Sequence, residues 1–75
     1  MNKDRRQRLK DVVQKLENVI KDIEFIQEEE QDAYDNLSDG LQQTMRGEQM
    51  DENISNFEEA VDKLNEALEN LNCVD

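Results

Sequence analysis

The sequence predicts an all-α fold, an antiparallel helical hairpin made of two long helices. Three observations predict it: two apolar stripes at helical spacing, a segment of turn residues between them, and no proline among 75 residues. No segment alternates apolar and polar residues as a half-buried strand does. We expect one domain over residues 1–75, with helix 1 at about 3–36, a turn at 37–43 and helix 2 at about 44–72.

The first stripe begins at Leu9 and recurs every three or four residues, which is the spacing of one helix face. In heptad notation it forms three rows. The a row is Leu9, Leu16, Ile23, Glu30 and Leu37, the d row is Val12, Val19, Ile26 and Ala33, and the e row is Val13, Ile20, Gln27 and Tyr34. Three rows are more than the two that a simple coiled-coil seam uses.

The second stripe alternates spacings of four and three. It consists of Met50, Ile54, Phe57, Val61, Leu64, Leu68 and Leu71, and its g row adds Ala60, Ala67 and Val74. Near its end, "EEAVDKL" and "NEALENL" are one heptad written twice, which is a packing period and not a repeated domain.

Turn residues separate the stripes in "NLSDGLQQTMRG". They are Asn36, Ser38, Asp39 and Gly40, and Thr44 is a suitable N-cap for helix 2. Folding the chain back at Gly40 places the a and d rows of helix 1 against the second stripe. In that register, Glu30 lies opposite Met50.

The rows beyond this seam predict self-association. In the predicted packing, the e row of helix 1 and the g row of helix 2 lie on opposite flanks of the seam, and neither is covered within the hairpin. A second hairpin would cover them, so we expect a homodimer that forms a four-helix bundle. The interface candidates are Val13, Ile20, Phe25, Tyr34, Ala60 and Ala67.

Glu30 is the only charged residue in the a row. Our hypothesis is that Glu30, Tyr34 and Arg46 form a polar layer that fixes the register and the number of partners. In the alternative, the Glu30 carboxylate turns to water while its methylene groups cover Met50.

The charges are unevenly distributed. Residues 1–26 carry seven basic and five acidic side chains, whereas residues 27–75 carry two basic and fifteen acidic ones, giving −11 in total. The segment "KDRRQRLK" could contact nucleic acid, but we favour its neutralisation by Glu66, Glu69 and Asp75, because this net charge repels phosphate. We therefore expect no nucleic-acid partner. The acidic surface itself is either a solvated face or a mimic of DNA phosphate.

The residue types restrict the chemistry. Without histidine, neither a histidine base nor a zinc site with nitrogen ligands is possible, and Cys73 alone forms no internal disulfide. Two E-x-x-D pairs, Glu29 with Asp32 and Glu48 with Asp51, are of the general kind that all-α nucleotide pyrophosphatases use to hold magnesium. Such pairs also arise by chance in an acidic chain. We expect no enzyme, no metal and no cofactor.

No apolar run is long enough for a membrane span, and the basic N-terminus has no apolar segment behind it. With one lone thiol, these features predict a cytoplasmic protein without membrane contact.

One segment carries a resemblance. At "EEQDAYDNL…LQ…RGEQM", the chain resembles a group of small acidic helical proteins encoded in Gram-positive bacterial genomes and their mobile elements. Members often have Pro-Glu-Ser where this chain has Ser38-Asp39-Gly40. The resemblance implies no particular activity.

Three functions follow as hypotheses, in order of preference. The first is a non-enzymatic structural or adaptor module that self-associates and acts through protein contacts. The second is an acidic inhibitor or nucleic-acid mimic that binds a basic protein. The third, remote, is a magnesium-dependent hydrolase.

Overall fold

Two long helices, α1 (Lys3–Asp35) and α3 (Met45–Asn72), pack against each other, with a short helix α2 (Asp39–Gln42) between them. The structure is a computed structural model and describes residues 1–74. The molecule measures 58 × 15 × 12 Å. The predicted all-α hairpin is confirmed, and both long helices begin and end within one residue of their predicted bounds.

Local hydrogen bonds fix both ends of α1. The Oδ1 atom of Asn2 accepts a hydrogen bond from the backbone N–H of Arg5 at 2.8 Å, which caps one of the free donors at the helix start. At the other end, Nε2 of Gln42 donates to the carbonyl oxygens of Tyr34 at 3.1 Å and Leu37 at 3.3 Å. One side chain from α2 therefore donates to a carbonyl oxygen in the last turn of α1 and to another in the connection, and it holds α2 against the end of α1.

The chain reverses through two capped helix starts. Ser38 Oγ accepts from the N–H of Leu41 at 3.3 Å and starts α2, and Thr44 Oγ1 accepts from the N–H of Gly47 at 3.3 Å and starts α3. Thr44 is thus the N-cap that the sequence predicts. Gly40 lies inside α2, and no glycine within residues 1–74 has a positive φ. The reversal consequently does not use the conformational freedom of glycine.

Gly47 is buried where α2 meets the first turn of α3. A Cβ atom at this position would lie 2.6 Å from the carbonyl carbon and 2.7 Å from the Cα of Gln42. Real Cβ atoms do not approach backbone this closely. The absence of a side chain at Gly47 therefore lets the connection turn tightly against α3.

The seam of the hairpin uses the a and e rows of α1, not the a and d rows. Ile20 in the e row is only 5% exposed, whereas Val12, Val19 and Ile26 in the d row are 51%, 46% and 50% exposed. The prediction that the hairpin leaves the e row uncovered is therefore wrong for Ile20. The a row has an apolar row on each side of it, so the sequence pattern permits either packing.

The hydrogen-bond partner of Glu30 differs from its predicted neighbour. Nδ2 of Asn53 donates a hydrogen bond to Oε2 of Glu30 at 3.0 Å, and this bond joins α1 to α3. Asn53 lies three positions after Met50, the residue that the predicted register places opposite Glu30, and it belongs to the g row that flanks the second stripe.

The two glycines give a matched test of the connection. We expect Gly47→Ala to destabilise the protein by about 1–3 kcal/mol, because the new methyl group must displace the Gln42 backbone. Gly40→Ala should be neutral or stabilising by up to about 1 kcal/mol, because a Cβ there meets no atom within 4 Å and alanine favours the helix. Urea unfolding measures both free energies. Equal stability of the two variants would contradict this account of Gly47.

Candidate protein-interaction surface

The exposed d row forms an apolar line along α1. Val12, Val19 and Ile26 follow one another at intervals of seven residues and span about 21 Å. Each keeps roughly half of its surface in contact with solvent, although each lies next to the seam. Single exposed apolar residues are ordinary on protein surfaces, but an aligned set of this kind marks a candidate binding surface.

The g row of α3 borders the same side of the hairpin. This row contains Asn53, Ala60 and Ala67, of which Ala60 is half-buried and Ala67 is exposed. The hydrogen bond from Asn53 to Glu30 places the g row beside the a row of α1. The covered e row borders one edge of the a row, and the exposed d row borders the other edge. The g row of α3 therefore lies on the same side of the hairpin as the d row of α1. We call the d row of α1 and the g row of α3 together the apolar side.

The opposite side of the hairpin is polar. On α1, this side consists of the row next to the covered e row. On α3, it consists of the row that borders the seam on the side opposite Asn53. These are Lys10, Glu17, Glu24 and Gln31 on α1, with Asp51, Glu58, Asn65 and Asn72 on α3. The prediction of uncovered apolar rows on both flanks is therefore replaced by one apolar and one polar side.

A row of charges runs along the outer edge of the d row. Its members are Arg8, Lys15, Asp22 and Glu29, again at intervals of seven, and all four are exposed. We call it the charged row. Two cations occupy its N-terminal half and two anions its C-terminal half, so its charge changes sign near the level of Val19. This change of sign is visible in the sequence. It indicates a binding surface only when the neighbouring d row is known to be exposed.

The predicted interface residues separate into three groups. Val13, Ile20 and Tyr34 are partly or fully covered within the hairpin, and only Ile20 is buried. Phe25 is 68% exposed and lies beyond the charged row. Ala60 and Ala67 lie on the apolar side. Contact of any of these residues with a partner stays a prediction.

The polar contacts of Glu30 differ from the predicted ones. Glu30 is half-buried and bonds to Asn53, whose Oδ1 in turn accepts from Nε2 of Gln49 at 3.0 Å. Arg46 is exposed on the first turn of α3, and within residues 1–74 Glu30 makes no hydrogen bond or ion pair with it or with the Tyr34 hydroxyl. Within the hairpin the carboxylate of Glu30 is therefore bonded to an amide, and a polar layer of Glu30, Tyr34 and Arg46 that fixes the register and the number of partners stays a prediction.

The described ion pairs lie within single helices. Arg8 pairs with Asp4 at 3.1 Å, and Lys63 pairs with Glu59 at 2.9 Å. The hydrogen bond and the negative charge of Glu59 raise the pKa of Lys63. Over residues 1–74, no ion pair joins "KDRRQRLK" to the acidic end of α3, and Asp75 lies outside the described residues. Any neutralisation there is a longer-range effect.

A groove opens between the helices at the end away from the turn. It has a volume of about 460 Å³, and Leu9, Val13 and Leu71 form its apolar wall. Arg6 and Lys10 line it as well.

A double-mutant cycle tests the pairing of Glu30. We expect a coupling free energy of about 0.5–1.5 kcal/mol between Glu30→Ala and Asn53→Ala, the usual contribution of one hydrogen bond. The cycle of Glu30→Ala with Arg46→Ala should give a coupling within about 0.3 kcal/mol of zero. Urea unfolding supplies the four free energies of each cycle. Strong coupling to Arg46 without coupling to Asn53 would restore the predicted trio.

Three further findings bear on identity. Within residues 1–74, no group of three or more Cys, Asp or Glu side chains is arranged to hold a metal ion. None of the described helices combines the length and apolar character that crossing a bilayer requires. Comparisons with protein-family models, with curated proteins and with solved structures give no match.

Proposed function

We propose that the chain is a non-enzymatic interaction module that acts through protein contacts and self-associates through the apolar side of its hairpin. One observation carries the proposal: Val12, Val19 and Ile26 form an aligned row that the hairpin leaves half-exposed. In a chain with a net charge of −11, apolar side chains are few, and a row of them outside the core is best explained by a partner.

The thin core supports the same proposal. Within residues 1–74, the buried hydrophobic core consists of Ile20, Ile54 and Val61, and none of them falls below 2% exposure. The accessible surface is 5969 Å², whereas a compact monomer of 8.8 kDa is expected to expose about 4,800 Å². A second hairpin on the apolar side would bring the assembly nearer to ordinary compactness and would complete a four-helix bundle.

The energetics predict an association that depends on concentration. Full burial of a valine or isoleucine contributes about 1.5–3 kcal/mol, so covering the remaining half contributes about 1 kcal/mol for each side chain. Three d-row residues on each of two copies then contribute about 6 kcal/mol. This is comparable with the cost of bringing two molecules together. Additional contacts from α3 and from charges decide how tight the dimer is.

The setting of the module is also a proposal. The free, exposed thiol of Cys73 is compatible with a reducing compartment, which supports the cytoplasm. The resemblance at the turn-proximal end supports a bacterial origin and a gene carried by a mobile element. In that setting, the hairpin would be a structural or adaptor component.

A second candidate function rests on the acidic surface. All the Asp and Glu residues of α3 are exposed, so most of the charge of this helix faces solvent. A basic protein could bind such a surface in place of nucleic acid. In that function the apolar side would be secondary, and partner binding would weaken strongly as salt rises.

Molar mass tests the first candidate. Light scattering over a range of concentrations should show a shift from 8.8 kDa towards twice that mass. Val19→Asp should weaken the dimer at least about tenfold, because it places a charge in an apolar interface. Gln14→Asp adds the same charge to the opposite face of α1 and should leave the dimer unchanged. Circular dichroism checks that both variants stay helical.

A monomer at every concentration up to the millimolar range would contradict self-association. Capture of a basic protein that is released by salt, by such a monomer, would then favour the acidic mimic. Equal weakening by Val19→Asp and Gln14→Asp would show that added charge, and not the apolar side, controls association.

A further inference from the structure

We infer that a second copy of this chain docks on the apolar side with its α1 antiparallel to the first α1, about a twofold axis at Val19. This inference rests on the proposed function and specifies the partner, the surface and the orientation. It is carried by the charged row and the d row of α1, which place the axis at nearly the same level, and by the small residues in the g row of α3.

The charged row of α1 is complementary to its own reverse. In an antiparallel arrangement centred near Val19, Arg8 lies opposite Glu29 of the second copy, and Lys15 lies opposite Asp22 of the second copy. The twofold axis repeats each pair, so four opposite-charge pairs form. In a parallel arrangement the twofold axis would run along the helices and would place the two charged rows on opposite sides of the contact, so none of these pairs would form. The charge order therefore selects the antiparallel orientation.

The d row fits the same axis. With Val19 on the axis, Val19 faces Val19 of the second copy, and Val12 faces Ile26 of the second copy. All three layers are apolar, and all the residues in them are about half-exposed in the hairpin. The charged row lies beside these layers, at the solvent-facing edge, where ion pairs need little desolvation.

The small residues of the g row lie near the same axis. The hydrogen bond between Glu30 and Asn53 joins the g row of α3 to the a row of α1. Because α3 runs antiparallel to α1, Ala60 and Ala67 lie about 10 and 21 Å further along the hairpin from Asn53. The level of Val19 therefore falls between Ala60 and Ala67, and an axis there brings the g rows of the two α3 helices together.

The small residues on α3 allow the four helices to close. In this antiparallel pair the twofold axis is perpendicular to both α1 helices, so each row faces the same row of the second copy. The a rows of the two α1 helices therefore lie on the same side of the contact between them. Both α3 helices lie beyond their a rows and thus stand side by side. Ala60 and Ala67 let two such helices approach closely, and the result is a four-helix bundle.

The size of the surface is adequate for a dimer. The charged row from Arg8 to Glu29 is about 30 Å long, and two adjacent helices are about 20 Å wide. The projected area is then about 600 Å² on each copy, close to the roughly 800 Å² per partner of a standard interface. A second copy is therefore an occupant of matching length, charge and shape.

Disulfide trapping tests the orientation directly. In a Cys73→Ser background, Val19→Cys should form a disulfide-linked dimer under mild oxidation, because the two thiols meet at the axis. Val12→Cys alone should not, because its two copies lie about 21 Å apart in the antiparallel dimer. Mixing Val12→Cys with Ile26→Cys should give a linked heterodimer. In a parallel dimer, Val12→Cys would link to itself.

Charge reversal tests the charged row. The variants Arg8→Glu/Lys15→Glu and Asp22→Lys/Glu29→Lys should each raise the dimer Kd about tenfold or more at low salt, and an equimolar mixture should restore wild-type affinity. The matched controls change the same net charge elsewhere on α1. They are Lys10→Glu/Lys21→Glu and Glu24→Lys/Glu28→Lys, and they should change the Kd by less than about threefold.

The outcomes separate the inference from the proposed function. A wild-type monomer at all concentrations would overturn both. A wild-type dimer in which Val12→Cys links to itself, or in which Val19→Cys does not link, would overturn the orientation and leave self-association standing. Charge reversals that act no differently from their controls would also overturn the role of the charged row. Linked Val19→Cys together with rescue in the mixture supports the inference in full.

Discussion

The packing of α3 against the a and e rows of α1 is the constraint from which the remaining features of the hairpin derive. Three adjacent rows of α1 are apolar, and one facing helix covers only two of them. Because the e row is covered, Ile20 becomes the most buried side chain of the core and the d row stays outside. The same choice makes one side of the hairpin apolar and the other polar. A hairpin centred on the a and d rows would have an apolar edge on both sides.

The connection between the helices supports this packing by hydrogen bonding and close contact. The side chain of Gln42 donates to the carbonyl oxygens of Tyr34 in α1 and of Leu37 just after it, and its backbone lies against Gly47 in the first turn of α3. Thr44 fixes where α3 begins. These contacts together limit how α3 is rotated and translated relative to α1. The placement that results joins Glu30 to Asn53 by a hydrogen bond.

The sequence predicts those features that depend on local pattern. Apolar spacing identifies both long helices, and the cap preference of threonine identifies the start of α3. The choice between the d and e rows depends on a balance of packing along the whole seam, to which both rows offer valine and isoleucine. The partner of Glu30 depends on how α3 is placed against α1, and the close approach of the Gln42 backbone to Gly47 is one of the contacts that limit this placement. Such contacts leave no pattern in the sequence, so the hydrogen bond between Asn53 and Glu30 could not be predicted from it.

The proposed self-association would cover the half-exposed row of aliphatic side chains on this acidic chain. The central claim beneath it is that α3 covers Ile20 and leaves Ile26 open. Thiol reactivity in dilute solution compares Ile20→Cys with Ile26→Cys in a Cys73→Ser background. The account predicts that the thiol at position 20 reacts at least about tenfold more slowly, because it must await local opening. Equal rates, or faster reaction at position 20, would contradict it.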